Sequence, residues 1–317
     1  MLQFTLTPAQ IALAVSVPTG RQPVFFANGS TRYRLRACSY KRGTTVVGDS
    51  TWAISPTCWP QHIFLEFNGS PLYPRRKHHA HLDQPIELTN MLELGDNQVR
   101  VSLPSTVQKG AEEPSTYFLA IEVISTSDCE TLHREVAERE HFALSDTKRE
   151  LKRRLNCGSS DDVIVVEEST LRVTITDPFT SSLFTIPVRG IDCKHLECFD
   201  LGVWLETRNG KPSKFPGEPS LVDGWKCPIC GHDARPVNLR VDDYFADVRA
   251  NLIESGIDAS DARSILVDAN GDWILMQESE DNGNGTRLGP YGLSTPSSDR
   301  KTPRSFSAQT SIILDDD

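Results

Sequence analysis

The chain has no run of about 18 apolar residues, so no membrane-crossing helix is indicated. Its opening, MLQFTLTPAQIALAVSVPTG, lacks the basic stretch of a secretory signal, and a strand or short helix is expected there instead. It lacks an excess of positive charge: 33 Lys and Arg stand against 43 Asp and Glu, a net charge of −10, which argues against the whole chain coating nucleic acid. It lacks an internal repeat. Without a secretory signal its eight cysteines do not imply a disulfide framework. Between Cys198 and Cys227 there is neither Cys nor His, which limits how many metal ions the cysteine-rich stretch can hold.

What is present fits a soluble folded protein of two domains: 317 residues, 38% hydrophobic and 24% charged. Residues 1–126 read as a β-domain. TRYRLRACSY (31–40) and HIFLEFNG (62–69) alternate polar and apolar residues, the second ending in an Asn68–Gly69 turn, and NQVRVSL and TYFLAIEVIS continue the pattern. The stretch 68–85, which contains YPRRKHHAH, reads as a long basic loop. Residues 127–160 turn charged and helix-prone and read as a connector, with Ser145 or Asp146 as a helix cap. Residues 161–260 hold the cysteine cluster and end in a helix over 237–255, with Leu239, Tyr244, Val248 and Leu252 at helical spacing. Residues 261–279 read as a hairpin around Asn270–Gly271. From 280 to 317 apolar anchors are few and a disordered tail is expected.

The cysteines at 38, 58, 129 and 157 are scattered and read as small buried hydrophobes. The other four are clustered with a histidine. A structural zinc takes four ligands, usually thiolate and imidazole, and a cross-braced two-zinc ring needs eight. CKHLEC supplies its third, fourth and fifth ligands as Cys193, His195 and Cys198, and CPIC its seventh and eighth as Cys227 and Cys230. The first, second and sixth are missing. One site is therefore complete, Cys193, His195, Cys227 and Cys230, with one zinc per chain and Cys198 left to pack. A rival quartet would use Cys198 in place of Cys193 or His195. His232 reads as a surface residue. Phe179, Leu183, Phe184 and Ile186 read as a lead-in hairpin, and Trp204, Leu205 and Trp225 complete a small core in place of the missing ion.

CKHLECFD followed by Trp-x-Cys-Pro-x-Cys resembles the SP-RING (MIZ-type) finger of Siz/PIAS SUMO ligases. Where many members have Cys-Pro, this chain has Asp177–Pro178, and 206–224 is a longer insertion than the family leads one to expect. YRLRACSY, IFLEFNGSPL, QPIELTNML and YFLAIEVIST resemble the family's PINIT domain, with its name-giving motif partly kept in Pro85–Thr89. No family SAP module is recognised. The resemblance implies an α+β, β-rich chain: a PINIT-like domain, a single-zinc SP-RING and a disordered tail. It implies a SUMO transferase with no nucleophile of its own, which orients the thioester between SUMO and a conjugating enzyme toward a substrate lysine. Pro178, Phe179, Pro228 and Ile229 would dock that enzyme. Many ring ligases place a cation after the last cysteine, and here that position is Gly231. The basic loop residues Arg75, Arg76 and Lys77 would touch an acidic partner. The ending SIILDDD resembles a SUMO-interacting motif, with Ile312, Ile313 and Leu314 entering a groove and Asp315, Asp316 and Asp317 meeting a basic rim. VIVVEE (163–168) looks similar but reads as a structural strand. The implied partners are the SUMO-conjugating enzyme, SUMO and protein substrates such as nuclear or transcription proteins. Neither membrane contact nor direct nucleic-acid binding is indicated, and the expected location is the nucleus. A non-catalytic adaptor and a ubiquitin-type ring ligase are the alternatives.

Overall fold

The computed structural model describes residues 1–14, 28–77, 82–104, 115–156, 170–208, 224–258 and 262–276. Residues Met1–Gln277 make one compact unit. The expected disordered tail, with Ile312 to Asp317, lies outside the described residues, as do VIVVEE, Cys157 and most of the 206–224 insertion. Among the described residues no helix is long and apolar enough to cross a membrane.

The chain opens with β1 (Leu2–Leu6) and α1 (Pro8–Leu13), the latter closed by a capping box between Thr7 and Gln10. There follow β2 (Thr31–Lys41), α2 (Asp49–Ile54), β3 (Phe64–Phe67), β4 (Ser70–Leu72), β5 (Arg75–Lys77), β6 (Leu82–Gln84), β7 (Ile86–Glu87), β8 (Gly95–Ser102) and β9 (Ser115–Ser125). Two antiparallel sheets, in strand order β1-β8-β3-β4 and β7-β2-β9, share one core. Leu6, Leu65, Phe67, Leu72 and Val99 from the first meet Tyr33, Leu35, Ala37 and Ile86 from the second. Asn68 and Gly69 make the two-residue turn between β3 and β4, both at positive φ.

The alternation in β2 has a consequence the sequence did not show. Tyr33, Leu35 and Ala37 point to the core, and Arg32 and Arg36 on the opposite face are also buried. Buried charge must be paired. Arg32 bonds Glu87, Arg34 bonds Glu122, and Arg36 reaches Glu122 at 2.8 Å. Trp52 of α2 lies over the Arg36 guanidinium, 5.1 Å from ring centroid to Cζ, and donates its Nε1–H to Glu122. Burial pushes the Glu122 carboxyl up, but Arg34 and Arg36 outweigh it and hold the group below the usual carboxylate range.

The basic stretch is not one long loop. β5 and β6 pair across it, and Arg76 spends its charge internally, on the Trp59 carbonyl at 3.2 Å and on Asp83 at 3.6 Å.

The second half runs α3 (Cys129–Ala137), α4 (Leu144–Asn156), β10 (Thr170–Thr174), β11 (Pro187–Gly190), β12 (Phe199–Asp200), α5 (Leu201–Thr207), β13 (Leu239–Val241), α6 (Asp243–Glu254), β14 (Ser264–Asp268) and β15 (Trp273–Met276). Leu239 belongs to a strand, not to the expected helix. Val241 pairs with Val188 of β11, and α6 starts only after Asp242, whose carboxylate caps the Tyr244 amide at 3.1 Å. The hairpin β14–β15 extends the sheet begun by β10, from Thr170↔Asp268 to Thr174↔Ser264. The helices of 127–160 are packed on both sides. Val136 of α3 enters the core around β11, β13 and α5, while Leu151 of α4 enters the core around β10, α6 and β14.

Candidate metal centre

β11 ends at Gly190, whose carbonyl accepts the Cys193 amide at 3.0 Å. That tight turn sets Cys193. Two residues on, the His195 Nδ1 lies 2.8 Å from the Glu197 carbonyl, so Nδ1 carries the proton and Nε2 is left as a donor atom. The second pair sits on a turn closed by a bridge between Lys226 and Asp233. Within it the Cys227 amide donates to His232 at 2.7 Å and the Gly231 amide to Cys227 at 2.9 Å.

The two turns bring four ligand atoms together. Those of Cys193, His195, Cys227 and Cys230 all lie within 4.8 Å of one another. Cys193 Sγ is 3.6 Å from Cys230 Sγ, and Cys227 Sγ is 3.3 Å from His195 Nε2. A disulfide needs about 2.05 Å. The edge of a tetrahedron around an ion with 2.3 Å metal–sulfur bonds is ~3.8 Å. The hydrogen bond from Cys193, with the amides of Cys230 and Ile229, holds the Cys227 thiol below the usual range against the effect of burial, and the same shared proton pushes the Cys193 thiol up. Metal ligation takes all three sulfurs as thiolates and releases that proton.

Cys198 is not among the four. It is fully buried in the neighbouring core with Ile175, Phe184 and Leu196, its thiol on the Leu196 carbonyl, and burial pushes that thiol well up. His232 is exposed, yet its Nδ1 comes within 3.3 Å of Cys230 Sγ. The only sequence signal for that contact is its place two residues after a ligand.

A second turn has the same form without cysteine. Thr176 and Leu183 bridge as Lys226 and Asp233 do. The Asp177 amide donates to Ser182 and the Ser181 amide to Asp177, both at 2.8 Å, as in the Cys227 turn. Ser181, at φ 57°, stands where Gly231 stands at 75°. The stretch expected as a lead-in hairpin is this turn, followed by a strand, β11, that pairs elsewhere.

Residues 173–233 match the family model described as the MIZ/SP-RING zinc finger. In this stretch the chain is similar to a MIZ/SP-RING finger. The chain is 28% identical over 185 residues to the E3 SUMO-protein ligase gei-17 of Caenorhabditis elegans, covering 58% of this chain and 20% of that protein. It is 22% identical to human E3 SUMO-protein ligase PIAS3, over 86% of this chain and 40% of that protein. To human zinc finger MIZ domain-containing protein 2 it is 21% identical, over 68% and 22%. The chain thus spans between a fifth and two fifths of these curated relatives. The crystal structure of the S. cerevisiae SUMO E3 ligase SIZ2 aligns with a TM-score of 0.44 at 18% identity, over 87% of this chain and 88% of that one.

The finger carries an apolar residue at the tip of each turn. Phe179 is 45% exposed and Ile229 40%, in equivalent positions directly after Pro178 and Pro228. Phe179 lays its ring 6.0 Å from that of buried Trp204 and leaves nearly half its surface to solvent. Trp204 also meets Phe199 and Trp225, and its indole N–H donates to the Ala234 carbonyl at 3.1 Å. The expected small core of Trp204, Leu205 and Trp225 therefore backs the metal loops, whereas Phe184 joins the other core.

Proposed function

We propose that the chain binds one zinc ion through Cys193, His195, Cys227 and Cys230 and acts as a SUMO-protein ligase. Three thiols and one imidazole nitrogen at tetrahedral spacing fit zinc. With all four positions taken by protein, the ion keeps no place for a substrate water, and its contribution is to fix two loops. The finger then needs no nucleophile of its own. A substrate lysine amine attacks the thioester carbonyl that joins SUMO to its conjugating enzyme. The C–N bond forms, the C–S bond breaks, the sulfur stays with the conjugating enzyme, and the amine gives up a proton. The ligase supplies proximity and orientation.

The observation that carries this reading is the pair of part-exposed apolar tips, Phe179 and Ile229, on matched turns of a finger whose relatives include proteins named SUMO ligases. Exposed apolar anchors on rigid loops are what a protein-docking hot spot requires. Together with Pro178 and Pro228 they form the conjugating-enzyme face. A reconstituted transfer reaction with SUMO, its activating and conjugating enzymes and a lysine substrate tests it. The full chain should accelerate transfer and the Cys227→Ser chain should not. Equal rates with and without the intact chain would refute ligase action. Relatives named only as MIZ zinc-finger proteins favour a second reading, a non-catalytic adaptor. That reading requires conjugating-enzyme binding with no acceleration in the same assay.

A further inference from the structure

The Asp177 turn holds a tip without a metal. Its carboxylate is 1% exposed and accepts four hydrogen bonds. Oδ2 takes the amides of Phe179 at 3.0 Å and Thr180 at 2.9 Å, and the Thr180 hydroxyl at 3.2 Å. Oδ1 takes the Asp200 amide at 2.9 Å, across 23 residues of chain. Asp200 continues the chain of bonds. It is buried too, and its carboxylate accepts the amides of Thr185, Ile186 and Val203, the last being the start of α5. Residue by residue, Asp177, Pro178, Phe179, Thr180 and Ser181 overlie the roles of Cys227, Pro228, Ile229, Cys230 and Gly231. Where one turn is closed by two thiols on an ion, the other is closed by a carboxylate on two amides and a hydroxyl.

We propose that Asp177, with Thr180, is the positioning pair that presents Phe179 to the conjugating enzyme, so that one half of the docking face is fixed by zinc and the other by a buried carboxylate. The proposal rests on the docking reading above. Three features of the turn support it beyond ordinary loop packing. Phe179 donates its own amide to the carboxylate, so the tip residue is held at its backbone. The bond to Asp200 ties the turn to the strand that leads into α5, and hence to Trp204, the ring against which Phe179 rests. Ser181 adopts a left-handed φ of 57° that a serine rarely takes, which requires the surrounding bonds to hold it.

The experiment measures affinity of the full chain for purified SUMO-conjugating enzyme by calorimetry, in a double-mutant cycle. Asp177→Asn keeps the shape but turns an amide toward donors, and it should weaken binding about tenfold. Phe179→Ala should weaken it by as much or more. In the Phe179→Ala background the Asp177→Asn change should have no further effect, because the carboxylate acts through that ring. Zinc content should stay at one per chain in all three. Thr180→Val, a milder change, should give a smaller loss with the same dependence on Phe179, and it serves where Asp177→Asn fails to fold. If Asp177→Asn and Thr180→Val weaken binding equally with and without Phe179, or leave it unchanged while Ile229→Ala weakens it, the positioning role is wrong and the docking face stands. If neither Phe179→Ala nor Ile229→Ala weakens binding, the docking face itself is wrong, and this proposal falls with it.

Discussion

A single methyl group at residue 190 should damage the metal site from outside the ligand set. A Cβ built on Gly190 falls 2.8 Å from the backbone oxygen of Asp233 and 3.1 Å from Cys193 Sγ. A carbon–oxygen contact that short has to be relieved, and neither neighbour gives easily. Asp233 is held by the bridge to Lys226, and its carboxylate is bonded by Arg235 at 2.6 Å and Asn238 at 2.7 Å. On the other side, Gly190 is paired with Leu239 in β13. Gly190→Ala must therefore push the end of β11 away by several tenths of an ångström, at an overpacking cost of about 1–3 kcal/mol. Part of that shift falls on Cys193, whose amide is bonded to the Gly190 carbonyl, and a metal site tolerates only about 0.2 Å. The expected result is a drop in zinc affinity of roughly tenfold, or ~1.4 kcal/mol, read by chelator competition. Thermal unfolding in excess zinc should fall by about 3–10 °C. Gly231→Ala is the control. No atom lies within 4 Å of its Cβ, but φ is 75°, so it should cost ~1 kcal/mol through backbone strain alone. Unchanged zinc affinity in Gly190→Ala, with a melting shift no larger than that of the control, would refute the close-approach argument.

Other expectations concern single groups. Cys198→Ala should keep one zinc per chain and lose only about 1 kcal/mol of packing, because that thiol is buried, neutral and outside the cluster; loss of the ion would return Cys198 to the ligand set. Ser181→Gly should raise stability by roughly 0.5 kcal/mol, the relief of a left-handed serine less the added freedom of the unfolded chain, and a lower melting temperature would count against the turn geometry. His141 is pushed down by burial but raised further by the Ala137 carbonyl at 2.9 Å and the Asp243 carboxylate at 2.7 Å, for a net rise. Its contribution is fully present below the ordinary histidine value near 6.5 and is lost as pH climbs through the raised one. Denaturant titrations of the wild type against His141→Gln should differ most in acid and converge above neutrality; a constant difference across that range would refute the assignment.

That Cys193, His195, Cys227 and Cys230 gather in one place was legible because thiol and imidazole spacing is covalent information: Cys-x-His and Cys-Pro-x-Cys fix two short turns wherever they fall. The alternation in β2 and the Asn68–Gly69 turn were legible for the same local reason. What escaped was decided by partners far away in sequence. The alternation marked Arg32, Arg34 and Arg36 only as its polar half, yet Glu87, Glu122 and Trp52 pair with or cover them, and Arg32 and Arg36 are buried. Arg76 read as a loop residue that touches an acidic partner, yet Asp83 and the Trp59 carbonyl hold it. Leu239 matched a helical period and was claimed by a strand, since pairing with β11 outcompetes a weak local preference. The Asp177 turn did leave a trace, D-P-F-T-S against C-P-I-C-G. A search for metal ligands passes over it because a carboxylate that accepts amides does the work of an ion without matching a ligand pattern.

The stretch that matches the finger model, 173–233, does not contain the contacts that would let it stand alone. Arg189 of β11 is 8% exposed, and its guanidinium bonds Asp242 at 2.9 Å, beyond the end of that stretch. Asp242 is wholly buried and also takes the hydroxyl of Thr147 at 2.9 Å, from α4, well before the stretch begins. Phe142 covers the same guanidinium, 3.9 Å from ring centroid to Cζ. Removing Arg189 or Asp242 alone strands the other's buried charge, which costs about 3–5 kcal/mol, a large share of the stability of a domain this size. Val136 before the finger, and Tyr244, Val248 and Ile265 after it, complete the two cores on either side of the ligands. The helices of 127–160 are therefore structural walls of the metal centre. The docking face proposed for the two tips would inherit its rigidity from them as much as from a bound ion.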